Sequence, residues 1–149
     1  MIQILVILLW ILLFIFGMCF FSFLNVVIYR VPKKISFAGG RSFCPSCKNP
    51  LKGRDMVPVF SYLFLRGRCR YCGAKISPRY PLVELLGGIS AVFCMYCFGN
   101  VTDGVFHFSV QPVLIFLFLA VLTAVAFIDL DTMEIPNGLV LAAAVCGLA

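Results

Sequence analysis

Four cysteines in a short basic segment have the spacing of a metal site. They form two Cys-x-x-Cys pairs, CPSC and CRYC, with 21 residues between the pairs: Cys44, Cys47, Cys69 and Cys72. Each pair can form a tight turn that presents both sulfurs, and two such turns complete a tetrahedron. The spacing predicts a structural Zn²⁺ site, because four protein ligands leave no open coordination position for a substrate.

Two carboxylates follow a long apolar segment near the other end of the sequence. In AFIDLDTMEIPN, Asp129 comes directly after 17 uncharged residues (112–128), and Asp131 follows two positions later. Ionisable groups at the edge of a membrane helix are costly and suggest function. The alternative is that both acids simply end the helix among the lipid headgroups. On a helix, residues two apart point about 200° away from each other, so these two cannot face one substrate together.

A catalytic pair of carboxyls, such as that of aspartic proteases, shares one proton, so a role of this kind for Asp129 would require a partner from another element. Glu84 is a weak candidate, and an ion pair with Arg79 or Arg70 is the simpler expectation for it. Asp103 is expected on the opposite side of the membrane. No convincing partner for Asp129 is found in the sequence.

The composition excludes a soluble globular domain. Of the 149 residues, 62% are hydrophobic and 12% charged, and the mean hydropathy is +1.07. Apolar stretches cover residues 2–28, 81–98 and 112–128, and another begins near residue 138 and continues to residue 149. A helix needs about 20 apolar residues to cross a bilayer. We expect an all-α polytopic membrane protein with about four transmembrane helices, the last one incomplete, and a small cytoplasmic zinc-knuckle loop with four cysteine ligands.

The charges predict the orientation. All 12 Lys and Arg lie between residues 30 and 79, where Asp55 is the only acid. By the positive-inside rule this loop is cytoplasmic, the N-terminus is outside, and Asp129 lies at the cytoplasmic end of the third helix. We expect the loop to contact anionic lipids. Nucleic acid is not an expected partner, because the aromatic residues do not alternate with the basic ones.

The cytoplasmic location also bears on the cysteines. A reducing compartment argues against disulfides as the alternative to zinc for the two loop pairs. A third Cys-x-x-Cys, Cys94 and Cys97, lies inside an apolar stretch. Together with Cys19 and Cys146, these two are predicted to be small buried hydrophobic residues.

Four segments, in this order, resemble one family of membrane enzymes. They are GMCFFSFLNVVIYRVP, RSFCPSCKNPLKGRDMVPVFSYLFLRGRCRYC, SPRYPLVELL and FIDLDTMEIPN, and together they run from Gly17 to Asn137. The chain is similar to the type IV prepilin peptidases, the leader peptidase/N-methyltransferase (A24) family.

The resemblance implies a bacterial inner-membrane aspartic endopeptidase. Such enzymes cleave the short basic leader of type IV prepilins and pseudopilins at the cytoplasmic face, and many then methylate the new N-terminus with S-adenosylmethionine. The family's first catalytic aspartate precedes the Ile of an Ile-Pro pair by six residues, which corresponds to Asp129, with Asp131 the less suitable choice. The loop cysteines correspond to the family's zinc knuckles. No residues that bind S-adenosylmethionine are identified.

One departure from the family pattern matters. The family's second catalytic aspartate lies in a Gly-x-Gly-Asp motif, which is absent here. We therefore expect the N-terminal part of such an enzyme, inactive as a protease alone: a transmembrane helix (1–29), a basic zinc-knuckle domain associated with methyl transfer (30–80), and the start of the peptidase domain (81–149). The alternatives are a non-proteolytic zinc-knuckle methyltransferase and a membrane adaptor protein.

Overall fold

The computed structural model describes residues 2–36, 41–102, 105–107, 109–133 and 137–148. Asp103 and the Ile135-Pro136 pair lie outside these residues, as does the side chain of Cys146. The α-helices in the described part are α1 (Ile2–Arg30), α2 (Phe60–Phe64), α3 (Arg79–Phe98), α4 (Gln111–Thr132) and α5 (Asn137–Leu148).

Three of these helices are long and apolar enough to cross a membrane: Gln3–Arg30, Arg79–Phe98 and Gln111–Thr132. They begin and end within a few residues of the predicted stretches, and the predicted helical membrane fold is confirmed. Helix α5 begins at Asn137, close to the expected position, and has 12 residues.

A short antiparallel hairpin joins α3 to α4. Strand β1 (Asn100–Thr102) pairs with β2 (Val105–His107), and Thr102 is opposite Val105. The sequence did not lead us to expect this hairpin, although the Asp-Gly dipeptide between the two strands is a typical hairpin signal.

The membrane helices pack through an apolar core. Helix α4 contributes one residue per turn from a single face, namely Phe116, Ala120, Ala124 and Ile128. This four-residue spacing places the side chains in a row along the helix. The ring of Phe116 meets that of Phe20 on α1 edge to face, with centroids 5.4 Å apart. The face of α4 that bears this row is therefore turned toward α1.

Glycines allow α1 and α3 to approach each other closely. A Cβ atom at Gly17 would meet the backbone carbonyl of Gly87, and one at Gly87 would overlap Phe21. Small residues at such a crossing let helices pack backbone to backbone within a membrane, where van der Waals contact is a main attraction between helices. The pairing of α1 with α3 therefore depends on these two positions lacking side chains.

The remaining cysteines only partly match their prediction. Cys94 is buried, with 1% of its surface exposed, as expected. Cys19 and Cys97 are exposed on the protein surface, so their predicted burial inside the protein is wrong. In a lipid bilayer an apolar thiol needs no protein cover, because hydrocarbon surrounds it equally well.

The close crossing yields a stability prediction. Replacing Gly87 by leucine should lower the free energy of unfolding by about 1–3 kcal/mol or more, because an overpacked side chain forces the helices apart. Thermal unfolding of the purified protein in detergent measures this. Gly138→Leu on α5 is the control, since a Cβ there has no heavy atom within 4 Å. An equal effect of both variants would contradict the proposed role of the glycine crossing.

Candidate metal centre and membrane-edge carboxylates

The predicted cysteine site is formed in the structure. The sulfur atoms of Cys44, Cys47, Cys69 and Cys72 all lie within 4.8 Å of one another. The Sγ atoms of Cys44 and Cys72 are 3.9 Å apart. Tetrahedral zinc with Zn–S bonds of about 2.3 Å requires sulfurs about 3.8 Å apart. The four cysteines can therefore hold a metal ion of this kind without a large rearrangement.

The two cysteine pairs adopt the same backbone turn. The N–H of Cys44 donates to the carbonyl of Asn49 at 3.0 Å, and the N–H of Cys69 donates to that of Ala74 at 2.8 Å. In each pair the fourth residue after the first cysteine has a left-handed backbone: Lys48 with φ 57° and Gly73 with φ 70°. The residues flanking each turn form a β-bridge, Phe43 with Pro50 and Arg68 with Lys75. The site is thus built from two copies of one local structure.

The thiols differ in acidity. Hydrogen bonding from the backbone of Cys47 is the largest effect on Cys44 and lowers its pKa to about 7, although burial opposes the shift. At Cys72 the backbone of Ala74 lowers the pKa, but desolvation and hydrogen bonds with the other three thiols outweigh it and raise the pKa to about 11. Four thiols this close compete for protons. A metal ion that binds thiolates would displace these protons.

Asp55, the only acid in the basic loop, ties the second cysteine turn to the segment between the turns. Its carboxylate accepts from Nε of Arg70 at 2.7 Å, from the hydroxyl of Tyr71 at 3.2 Å and from the backbone N–H of Lys52 at 3.2 Å. Burial raises the pKa of Asp55, but these hydrogen bonds, that from Arg70 first, hold it below its usual value. The carboxylate of Asp55 is thus engaged in contacts within the loop itself.

Asp131 forms an ion pair that links α4 to α3. Its two oxygens accept from the two terminal nitrogens of Arg79, at 2.6 and 2.8 Å. The Arg79 guanidinium also stacks over the ring of Phe127, 4.8 Å from its centroid. Since Phe127 and Asp131 are four residues apart, they share one face of α4. That face is held against the beginning of α3.

Asp129 lies on the other side of α4. It is partly exposed, and within the described part of the chain its carboxylate has no hydrogen bond or ion pair. Helix α4 continues through Thr132, so the expected angle of about 200° between Asp129 and Asp131 applies to the structure. The two acids therefore point in different directions from α4, and of the two only Asp131 has an ion-pair partner among the described residues.

Glu84 makes contacts that the sequence did not predict. It accepts a hydrogen bond from the hydroxyl of Ser22 on α1 at 2.7 Å and another from the backbone N–H of Val59 at 2.8 Å. The expected pairing with Arg79 or Arg70 is wrong, because Arg79 binds Asp131 and Arg70 binds Asp55. One signal was available: Ser22 and Asn25 are polar, three residues apart, and therefore on one face of an otherwise apolar helix.

The fold and the site together define a class of protein: a bundle of membrane-capable helices that carries a four-cysteine module between its first two long helices. Residues 15–98, more than half of the chain, match the family model described as Bacterial Peptidase A24 N-terminal domain. The chain therefore belongs to the bacterial A24 peptidase family and matches its N-terminal domain. The resemblance seen in the sequence is confirmed.

The curated relatives have consistent names. The chain is 42% identical over 137 residues to a prepilin leader peptidase/N-methyltransferase of Myxococcus xanthus (strain DK1622), covering 92% of this chain and 38% of that protein. It is 42% identical over 136 residues to the one of Klebsiella pneumoniae, covering 87% and 56%. It is 34% identical over 125 residues to that of Bacillus subtilis (strain 168), covering 84% and 47%. The chain thus spans roughly two-fifths to just over half the length of these proteins. No solved structure matches the chain.

The cysteine site predicts one tightly bound zinc ion per chain. Cys44→Ser or Cys69→Ser should lose the metal and unfold the module, because zinc binding supplies much of the folding free energy of such small modules. Metal analysis of purified protein, by mass spectrometry, measures this. Cys97→Ser is the matched control, since Cys97 belongs to the Cys-x-x-Cys pair in α3 and should leave the zinc content unchanged. Full zinc content in Cys69→Ser would refute the site.

The ion pair between Arg79 and Asp131 predicts a modest coupling energy. Both side chains are partly exposed, 34% and 44%, so the pair should contribute no more than about 1 kcal/mol. A double-mutant cycle of Arg79→Gln and Asp131→Asn, read by thermal unfolding at low and high salt, measures the coupling. We expect a positive coupling that falls as salt rises. No coupling at low salt would show that the pair does not form in solution.

Proposed function

We propose that the gene product containing this chain is a membrane aspartic endopeptidase. It would cleave the basic leader peptide of type IV prepilins or pseudopilins at the cytoplasmic membrane face and then N-methylate the new N-terminus. The names of the three relatives support the two activities. The aspartic mechanism is what the resemblance to the A24 peptidases implies, and the surroundings of the two acids on α4 support the choice of Asp129.

The observation that carries the proposal is the unequal environment of the two acids on α4. Asp131 is neutralised by Arg79, whereas the carboxylate of Asp129 has no partner among the described residues and remains available to a substrate or to water. A two-carboxylate protease uses one ionised acid to activate water and one protonated acid to donate to the scissile peptide. We assign Asp129 to this pair and leave Asp131 as a structural residue.

The second carboxylate of the pair is assigned to a residue outside these 149. No Gly-x-Gly-Asp occurs in the sequence. Glu84 is a poor substitute, because both of its oxygens already accept hydrogen bonds from α1 and from the loop. The 149 residues alone are accordingly expected to lack protease activity.

The four-cysteine module is proposed to bind structural zinc in the cytoplasm. Its four sulfurs would fill the coordination sphere, so the metal would stabilise the loop and take no part in hydrolysis. With this loop inside, the N-terminus lies outside and Asp129 is at the inner face, where prepilin leaders remain. The twelve basic residues would attract anionic lipid headgroups at that face. S-adenosylmethionine would supply the methyl group for the second reaction.

Cleavage of a prepilin by the gene product that contains residues 1–149 tests the proposal. Asp129→Asn should reduce the cleavage rate by at least about a hundredfold, because an amide cannot take part in the proton sharing of an acid pair. Asp103→Asn removes a carboxylate from the segment predicted on the opposite side and should cleave normally. Loss of the leader is followed on a gel by the change in mobility.

The outcomes separate the alternatives. Normal cleavage by Asp129→Asn would remove this residue from the mechanism. Methyl incorporation without leader cleavage by the unaltered protein would instead favour the non-proteolytic methyltransferase. The absence of both reactions would favour the membrane adaptor.

A further inference from the structure

A cavity of about 650 Å³ lies between the four-cysteine module and the adjoining ends of α1 and α3. Cys44 and Cys69 border it on the module side, Ser22 and Asn25 on α1, and Glu84 on α3. Its volume falls within the range typical of small-molecule sites. Neither the proposed protease pair nor the metal site uses this space.

Glu84 contributes a negative charge to the cavity without a direct ion-pair partner, and Arg30, Lys75 and Asp55 are the other charged residues of the lining. Both hydrogen bonds to its carboxylate come from neutral groups, the Ser22 hydroxyl and the Val59 N–H. Among the described residues no Lys or Arg forms an ion pair with Glu84. A partly buried carboxylate without a paired cation is unfavourable, so a cationic group of a ligand would be stabilised beside Glu84, whereas Lys75 suits an anionic group of the same ligand.

The rest of the wall suits a ligand that also has an aromatic part. Tyr29, Phe43, Tyr62 and Tyr80 line the cavity. Aromatic faces stack on planar heterocycles and attract organic cations. Asn25, only 6% exposed, donates from its amide nitrogen to the carbonyl of Tyr80 at 3.2 Å. Its amide oxygen has no hydrogen bond within the described part of the chain and can accept one from a ligand.

We propose that this cavity is the binding site for the methyl donor, S-adenosylmethionine, and that Glu84 compensates its positive charge. The proposal rests on the methyltransferase half of the proposed function. The residues fit the donor, because it combines a purine for the aromatic wall, sulfonium and ammonium groups for Glu84 and a carboxylate for Lys75. In the reaction the lone pair of an unprotonated amine takes the methyl group, the C–S bonding electrons stay on sulfur, and the amine proton passes to water.

Equilibrium binding of radiolabelled S-adenosylmethionine to the zinc-loaded gene product in detergent tests the site. Glu84→Gln should weaken binding at least tenfold, whereas Asp103→Asn should bind as the unaltered protein does. S-adenosylhomocysteine, which lacks the sulfonium charge, should lose less affinity on the Glu84→Gln change. Unchanged binding of the methyl donor by Glu84→Gln would overturn the proposal, and an equal loss for both ligands would contradict charge compensation by Glu84.

A second measurement avoids the risk that Glu84→Gln disturbs Ser22 and Val59. Ultraviolet cross-linking of labelled S-adenosylmethionine to the unaltered protein, followed by peptide mapping, should place the label on peptides that contain the cavity residues Tyr29, Tyr62 or Tyr80. Label found only on other peptides would overturn the site. An excess of an unlabelled basic leader peptide should leave the labelling unchanged, and competition would instead make the leader the occupant.

Leader cleavage distinguishes this inference from the proposed function. Glu84→Gln should still cleave a prepilin but methylate it at least about tenfold more slowly when the methyl donor is limiting. Binding of the donor in the cavity by a protein that neither cleaves nor methylates prepilin would leave the site intact and reject the proposed function. Cleavage and methylation with no label in the cavity would do the reverse.

Discussion

The exclusion of unpaired charge from hydrocarbon is the constraint on which this structure depends. A charged side chain in a bilayer needs a partner, a polar cavity or a position near the interface. All twelve basic residues accordingly lie from Arg30, the last residue of α1, to Arg79, the first residue of α3. The acids nearest to the long helices follow the same rule: Asp131 pairs with Arg79, and Glu84 is held by Ser22 and Val59. Asp129 has no such partner among the described residues, which is why we propose it as the reacting acid.

Much of the fold could be predicted because the membrane simplifies the sequence signal. Helices that need about 20 apolar residues leave uninterrupted stretches, and the observed boundaries of α1, α3 and α4 lie within a few residues of them. The four-cysteine site was equally predictable, since two identical turns at a suitable separation are a local pattern. The apolar stretches and the Cys-x-x-Cys turns can each be recognised from a short segment of the sequence.

The side-chain partners were not predictable in the same way. Arg79 and Asp131 are 52 residues apart, and Glu84 is 62 residues from Ser22, so these contacts depend on how α1, α3 and α4 are rotated about their axes. Charge alone suggested that Glu84 would bind a nearby arginine. Instead each arginine had a closer acid, Asp131 for Arg79 and Asp55 for Arg70, and Glu84 was left with neutral donors. The exposed positions of Cys19 and Cys97 were missed because lipid replaces protein as the apolar surrounding.

The first two turns of α3 connect three parts of the molecule. Arg79 contacts the end of α4, and Glu84, five residues later, contacts α1 through Ser22 and the loop between the two cysteine pairs through Val59. Val59 makes this contact from a backbone conformation with a positive φ of 62°, which is uncommon for a β-branched residue. A small tilt of α3 would therefore displace two elements together: α4, which bears Asp129, and the loop that borders the cavity. In the proposed function, the acid assigned to cleavage and the cavity assigned to the methyl donor are thus both connected to the same two turns of α3.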